Sequence, residues 1–553
     1  MKMLRTRTKF EAVAVGLFLV VLSIMSALAT YRTITSSSDT YVTFIRTSSG
    51  NMYNATWANL RTAYYSLNAT SGGTLYLPIG TFYSTGTLQL TNNTRIIGSG
   101  IGRTIIKAAS GDAATWMFAA RRTGGVGPFN NISICDLTLD GNTTSGNCLY
   151  AVQTTDLFIQ NVECRKPNTN GMGIWSCKRA IVDNCIVHDI DDASYEPYAI
   201  NTCNESTFSN LLAYNSVNWL YDFHTCNRCV ITNINGYNSV YGIKFFGDVG
   251  EKGGNNTVSN VNLNNSFSGA GSGVWIKREH HSDFSNININ HGAGTGTAFV
   301  IDASDYLNLN NIIIQNVPVI GLKIDDAIAD CHHININNMM IMNTLGSGLN
   351  IDEGHNISIS NSQIKANGNY NTITSGKNIC LNSVNFMANT ASYGLYINGG
   401  SLISVSGCTL GYNAGANLCI SSATQLSFDN CVFSYSGSNG ITGAACDFFT
   451  VSDSKFISNV ADGFDDVSSP CDNFTFIGCQ FLSNVKGMDM GANSNVSILG
   501  CLFNGNTGVG IKADTLDSII IKDCIMWNDA FEDNIVGSHN LTGSAYNIGM
   551  TIV

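Results

Sequence analysis

Ile357-Ser358-Ile359-Ser360-Asn361-Ser362-Gln363-Ile364 decides the fold. Apolar and polar residues alternate up to Ser360, which describes a short strand with one buried face. Asn361 belongs to the few residue types that tolerate a left-handed backbone, so the chain turns there. The turn resets the alternation, and the small Ser362 points inward again. The pattern returns as Leu426-Ser427-Phe428-Asp429-Asn430-Cys431-Val432-Phe433 and as Val496-Ser497-Ile498-Leu499-Gly500-Cys501-Leu502-Phe503. Centred on its Asn, Asp, Ser or Gly, it recurs at 136, 161, 184, 210, 233, 260, 286, 311, 338, 361, 383, 407, 430, 453, 478, 500 and 523. The mean spacing is about 24 residues, one turn of a solenoid.

A second motif, Gly-Φ-x-Φ, adds a further strand to each turn, as in Gly321-Leu322-Lys323-Ile324 and Gly394-Leu395-Tyr396-Ile397. Units that bury apolar surface only against their neighbours form a quasi-one-dimensional stack. The predicted fold is all-β, a single-stranded parallel β-helix of about 17–20 turns. Composition agrees, with 55 Gly, 6 Pro and 12% charged residues in 553, and no shift that marks a linker. Helical solenoids need long segments of 3.6-residue period, and the chain has none.

The chain's opening carries a resemblance. Thr56 to Leu67 reads as a short amphipathic helix. Gly72-Gly73-Thr74-Leu75-Tyr76-Leu77-Pro78-Ile79-Gly80-Thr81-Phe82 follows, and then Arg95-Ile96-Ile97-Gly98-Ser99-Gly100-Ile101-Gly102-Arg103-Thr104-Ile105-Ile106. A capping helix, a GGT strand and a Φ-Φ-G-x-G turn resemble the start of pectate-lyase-superfamily proteins. The resemblance implies a right-handed β-helix over roughly residues 50–530 and says little about activity. The helix would cover the open edge of the first turn. The expected organisation is a targeting segment (1–29), an N-terminal cap with the first turns (30–110), the β-helix (111–530) and a C-terminal cap (531–553).

Lys2, Arg5, Arg7 and Lys9 precede an apolar run from Ala12 to Ala29 that ends in Ala27-Leu28-Ala29. This is a signal peptide or an uncleaved membrane anchor, and either places the remainder outside the cytoplasm, secreted or at the cell surface. Asn-x-Ser/Thr sequons such as Asn54, Asn68, Asn142, Asn204, Asn356 and Asn495 permit glycosylation in a host that performs it. The 18 Cys fall into register. Cys185, Cys408, Cys431, Cys479, Cys501 and Cys524 follow the corner residue. Cys177, Cys203 and Cys226 make a second column, and Cys446 and Cys471 a third. Buried thiols and bridges between neighbouring turns both fit. Cys226-Asn227-Arg228-Cys229 lacks the second pair that zinc requires.

A net charge of −11 argues against nucleic acid as partner. Chemistry on a solenoid sits on outward positions of one face or in loops. Turn spacing is looser between 184 and 338 than after it, and charge concentrates there. The outward x of Gly-Φ-x-Φ reads Trp175, Asn201, His224, Lys244, Trp275, Phe299, Lys323 and Asn350, with Lys277, Asp302, Asp325 and Asp352 two positions beyond. Later turns carry few such groups. Aromatic faces stack on sugar rings, and cations hold carboxylates. A polysaccharide is therefore the expected partner, although a solvated charged strip satisfies the same pattern.

Tyr221-Asp222-Phe223-His224 weakly resembles the Tyr…Asp-Pro-His signature of mannuronan C5-epimerases, with Phe223 in place of the proline and Thr225 in place of a following acid. The resemblance implies roles for Asp222 and His224, with Tyr221 facing the substrate and Asp248 as a further acid. Removing the C5 proton of a uronate needs a base and a cation to neutralise the carboxylate. Lys244, Lys277, Arg278 or calcium would serve. Asp302, Asp325, Asp326 and Asp352 are the candidate calcium ligands, stacked on adjacent turns. The expected function is a lyase or epimerase acting on an anionic uronate polysaccharide. The alternatives are a non-catalytic structural or adhesive rod, and a glycoside hydrolase using paired carboxylates among Asp302, Asp325 and Asp352. The paired-Asp, Gly-His-Gly and Arg-x-Lys set of polygalacturonases is absent.

Overall fold

The computed structural model describes residues 44–68, 71–112, 114–121, 128–264, 271–292, 294–325, 331–390, 392–466, 471–516, 519–527, 535–536 and 547–552. The targeting segment and most of the expected C-terminal cap lie outside the described residues. No helix among the described residues is long and apolar enough to cross a membrane.

A helix runs from Trp57 to Asn68. The Thr56 hydroxyl accepts the Asn59 amide at 3.3 Å, so Thr56 is its N-cap. Trp57, Leu60, Ala63, Tyr64 and Leu67 are buried. Tyr64 lies 2.7 Å from the Thr94 hydroxyl and accepts the Thr91 amide at 2.8 Å, which fastens the helix to the first turn. That turn opens where Gly73–Tyr76 pairs in parallel with Thr94–Ile97. The expected capping helix is present.

Each turn then repeats one plan. The strand Asp305–Val317 bends at Asn311, whose φ is 59°. The bend divides it into a first arm ending at Asn310 and a second arm beginning at Ile312. A third strand, Leu322–Asp325, completes the turn. All three pair in parallel with the next turn: Leu307 with Ile334, Ile312 with Met339, Leu322 with Leu349. The solenoid therefore has three sheets, built of first arms, second arms and third strands.

All of the predicted corner residues, from Asp136 to Asp523, have φ between 47° and 63°. A left-handed backbone costs a residue with a Cβ about 1–2 kcal/mol. Asn offsets this by a hydrogen bond to the turn before it. Asn233 Nδ2 donates to Asn210 Oδ1 at 2.9 Å, Asn260 to Asn233 at 3.0 Å, Asn286 to Asn260 at 3.1 Å and Asn311 to Asn286 at 2.7 Å. The glycine of Gly-Φ-x-Φ has another cause. A Cβ on Gly463 would stand 2.6 Å from the Gly487 carbonyl oxygen, and one on Gly487 2.3 Å from that of Gly510. Neighbouring turns approach too closely there for any side chain.

The interior is filled by columns of like residues. Phe433, Phe456, Phe481 and Phe503 stack with ring centroids 5.0, 4.5 and 4.8 Å apart. Both readings of the cysteines hold in part. Cys446 and Cys471 form a disulfide. The other 16 are free thiols, buried except Cys380.

Candidate functional site

The third-strand sheet carries two outward columns, two residues apart. One runs Asp222, Lys244, Trp275, Val300, Lys323, Asn350. The other runs Trp175, Asn201, His224, Phe246, Lys277, Asp302, Asp325, Asp352. The single outward line read from the sequence merges these two. The inward columns between them correct two expectations. Tyr221 and Phe299 were expected to face substrate, but both are fully buried in the core. The Tyr221 hydroxyl donates inside to the Asn235 carbonyl at 2.7 Å. The outward position expected at Phe299 is one residue short: Ala298 stands where the motif has Gly, and the outward residue is Val300.

Side chains of adjacent turns meet on this face. Lys244 Nζ lies 3.0 Å from Asp222 Oδ2 and 3.3 Å from Glu196 Oε1. His224 Nε2 lies 3.0 Å from Asp248 Oδ1. Lys277 Nζ lies 2.8 Å from Asp302 Oδ2. Aromatic groups surround these pairs. The Lys277 ammonium stands 5.1 Å from the Trp275 ring centre and 5.6 Å from that of Phe246, and His224 lies 5.1 Å from Phe246. Trp219 stacks on Tyr241 at 4.9 Å and lies 5.9 Å from the Lys244 ammonium. Trp175, 38% exposed, packs edge-on to Tyr150, which stacks on Trp116.

Apart from the exposed Asp248, these charged groups are largely withdrawn from water. Burial pushes the Asp222 and Glu196 carboxyls above the ordinary range, against the pull of the Lys244 charge. Burial alone would lower Lys244, but Asp222 and Glu196 outweigh it and hold the ammonium above the usual lysine value. Asp222 Oδ1 is buried without a hydrogen-bond partner among the described residues.

Asp222, His224, Lys244, Asp248 and Lys277 are thus brought onto one face. Arg278 is one step away, on the left-handed corner with φ 54° rather than on the strand. Asn201 holds its place, and Asn350 accepts the Thr372 hydroxyl at 2.6 Å. The predicted Asp302, Asp325 and Asp352 column forms in register. Lysines meet two of its charges: Lys277 holds Asp302 and Lys323 holds Asp325. Asp326 lies outside the described residues. Among those described, no group of three or more His, Cys, Asp or Glu is placed to hold a metal ion.

Sequence reasoning missed Glu196, Trp219, Tyr241 and Phe246. Glu196 and Trp219 lie in the looser turns, where spacing flagged extra residues without naming them. Later turns are also less bare than expected. Lys486 contacts Asp462 and Asp489, and Lys512 reaches Asp489 at 3.1 Å, on the same sheet.

A family model agrees with the architecture. Residues 372–526 match the family model described as right handed β-helix region. The mannuronan C5-epimerase AlgE1 of Azotobacter vinelandii is 35% identical over 92 residues, 15% of this chain and 6% of that protein's length. The A-module of mannuronan C-5 epimerase AlgE4 from Azotobacter vinelandii is 12% identical with a TM-score of 0.25, over 89% of this chain and 95% of that one. A tailspike protein mutant of E. coli bacteriophage HK620, in complex with a pentasaccharide, is 12% identical with a TM-score of 0.35, over 80% and 74%. The matched family segment falls in the regular last third, beyond the candidate site. The chain is a right-handed parallel β-helix protein whose residues 372–526 carry the right-handed β-helix family pattern.

Proposed function

We propose that this protein is a carbohydrate-active β-helix enzyme, exported from the cytoplasm, that removes the C5 proton of a uronate within an anionic polysaccharide. The observation that carries the reading is the meeting of Asp222, Lys244, Glu196, His224, Asp248 and Lys277 on one aromatic-walled face. The 35% identity to a mannuronan C5-epimerase over 92 residues supports the same substrate class.

In this reading His224 is the base. The Asp248 carboxylate lies beside its Nε2. Lys277 faces the substrate carboxylate as enolate charge develops. Asp222, outward two residues before His224 on the same strand, is the group that delivers a proton. Returned to C5 from the opposite face, that proton gives the epimer. Delivered to the glycosidic oxygen as the C4–O bond breaks, it leaves a C4–C5 double bond and a lyase product. Trp175 and Trp275 supply faces for sugar rings.

A hydrolase is the second reading, favoured by one observation. Asp222 and Glu196 both touch Lys244 Nζ, so the contacting oxygens are at most about 6 Å apart, near the separation of glycosidase carboxyl pairs.

The test is incubation with polymannuronate, polyguluronate and polygalacturonate. Ultraviolet absorbance reads an unsaturated product, NMR reads epimerised residues and a reducing-end assay reads hydrolysis. His224→Ala is expected to lower the active reaction about 10²–10⁴-fold. Absence of all three products, or a His224→Ala variant as active as the parent, overturns the proposal.

A further inference from the structure

We infer that a second face of the solenoid, on the second-arm sheet, binds an uncharged saccharide chain. Its outward columns run Leu212, Asn235, Asn262, Asn288 and Tyr214, Tyr237, Asn264, Asn290. A groove of about 540 Å³ lies over them, lined by Leu212, Asn235, Gly236, Tyr237, Asn262 and Asn264 among others. A second groove of about 520 Å³ continues along the same turns to Asn288 and shares Asn235 and Asn262 with the first. Together they form one trough across several turns, which repeat every 4.8 Å or so.

The chemistry of the trough selects its ligand. No charged residue lines either groove. Each asparagine offers both a donor and an acceptor, which suits hydroxyl groups and gives an anion no counter-charge. Asn288 donates to Asn262 Oδ1 at 3.1 Å and Asn290 to Asn264 Oδ1 at 2.9 Å. The Asn235 side chain and the Asn262 amide nitrogen have no hydrogen-bond partner among the described residues, and both residues are exposed. At one end Tyr237, 42% exposed, stacks on Tyr214 at 4.8 Å, and Tyr214 on His188 at 4.5 Å. Both faces of Tyr214 are covered in this row, so Tyr237 at its end is the ring left to a sugar, held in place by the stack behind it. Corner asparagine ladders run along most of the solenoid and are structural. This segment differs in having the trough, the Tyr237 ring and the unpartnered amides together.

The experiment is calorimetric titration of the full chain with cellohexaose, mannohexaose and, as the anionic control, oligomannuronate. Binding of at least one uncharged hexasaccharide is expected. Tyr237→Ala should weaken it about tenfold. Asn262→Asp, which adds a charge to the trough at an exposed position, should weaken it too. Asp222→Asn should leave this binding unchanged while abolishing uronate turnover, which separates the trough from the proposed reaction. Failure of the parent to bind either uncharged hexasaccharide sinks the inference. So does Tyr237→Ala binding as the parent does.

Discussion

Lys244 bridges to Asp222 at 3.0 Å from the next turn of the sheet, so two residues 22 positions apart in sequence are direct neighbours across one parallel register step. The contact ties a half-buried carboxyl to a half-buried ammonium, with Glu196 as a third member. Removing a single member leaves uncompensated charge. Lys244→Met is expected to cost about 3–5 kcal/mol of stability, more than Asp222→Asn. A denaturant melt of both variants and of the pair checks the order, and the double variant should be less destabilised than the two singles predict.

Glu279 gives a pH dependence of defined sign. It is buried, and burial pushes its carboxyl up to about 7, against hydrogen bonds from Ser282 and Asn256. Between the ordinary carboxyl value of 4.5 and about 7 the folded protein holds more protons here than the unfolded chain. Stability from this group therefore falls as pH rises through that window. Glu279→Gln should flatten the fall, measured as the difference in melting temperature between parent and variant from pH 4.5 to 7.5. An identical slope in both would refute the assignment.

The cysteines predict a labelling pattern. Cys380 is the exposed free thiol among the described residues. Alkylation of the native protein should modify Cys380 quickly and the buried thiols slowly. Unfolding without reductant should expose 16 thiols, with Cys446 and Cys471 protected until reduced. Loss of that bridge through Cys446→Ser should cost about 2–4 kcal/mol.

The phenylalanine column sets the stability of the last third. Phe456 lies between Phe433 and Phe481 in that stack and is fully buried. Phe456→Ala opens a cavity and should cost about 3–5 kcal/mol. The corner responds to conformation instead of volume. Asn311→Val should cost about 1–2 kcal/mol, because a β-branched residue resists φ 59° and breaks the ladder to Asn286. Chemical denaturation ranks the two.

The solenoid was legible because its physics is local. Alternation, a residue tolerant of positive φ and a small residue after it lie within eight positions, and the structure places every predicted corner in the left-handed region. The capping helix was legible for the same reason. Sequence alone also located the charged face in the middle third, through looser spacing and the grouping of Asp222, His224, Lys244 and Lys277. The Asp302, Asp325 and Asp352 column was legible too, but how the other outward residues divide between two columns was decided only by tertiary structure. A slip of one residue exchanges outside for inside. Phe299 and Tyr221 each stand one residue before an outward position, Val300 and Asp222, and so face the core. Glu196 could not be foreseen as Lys244's partner, because a loop residue 48 positions away has no periodic signal. Its place is fixed by how the loop settles against neighbouring turns. Sequence determined the coil and its repeat; the register between turns, summed over hydrogen bonds and packing that no single segment contains, determined the site.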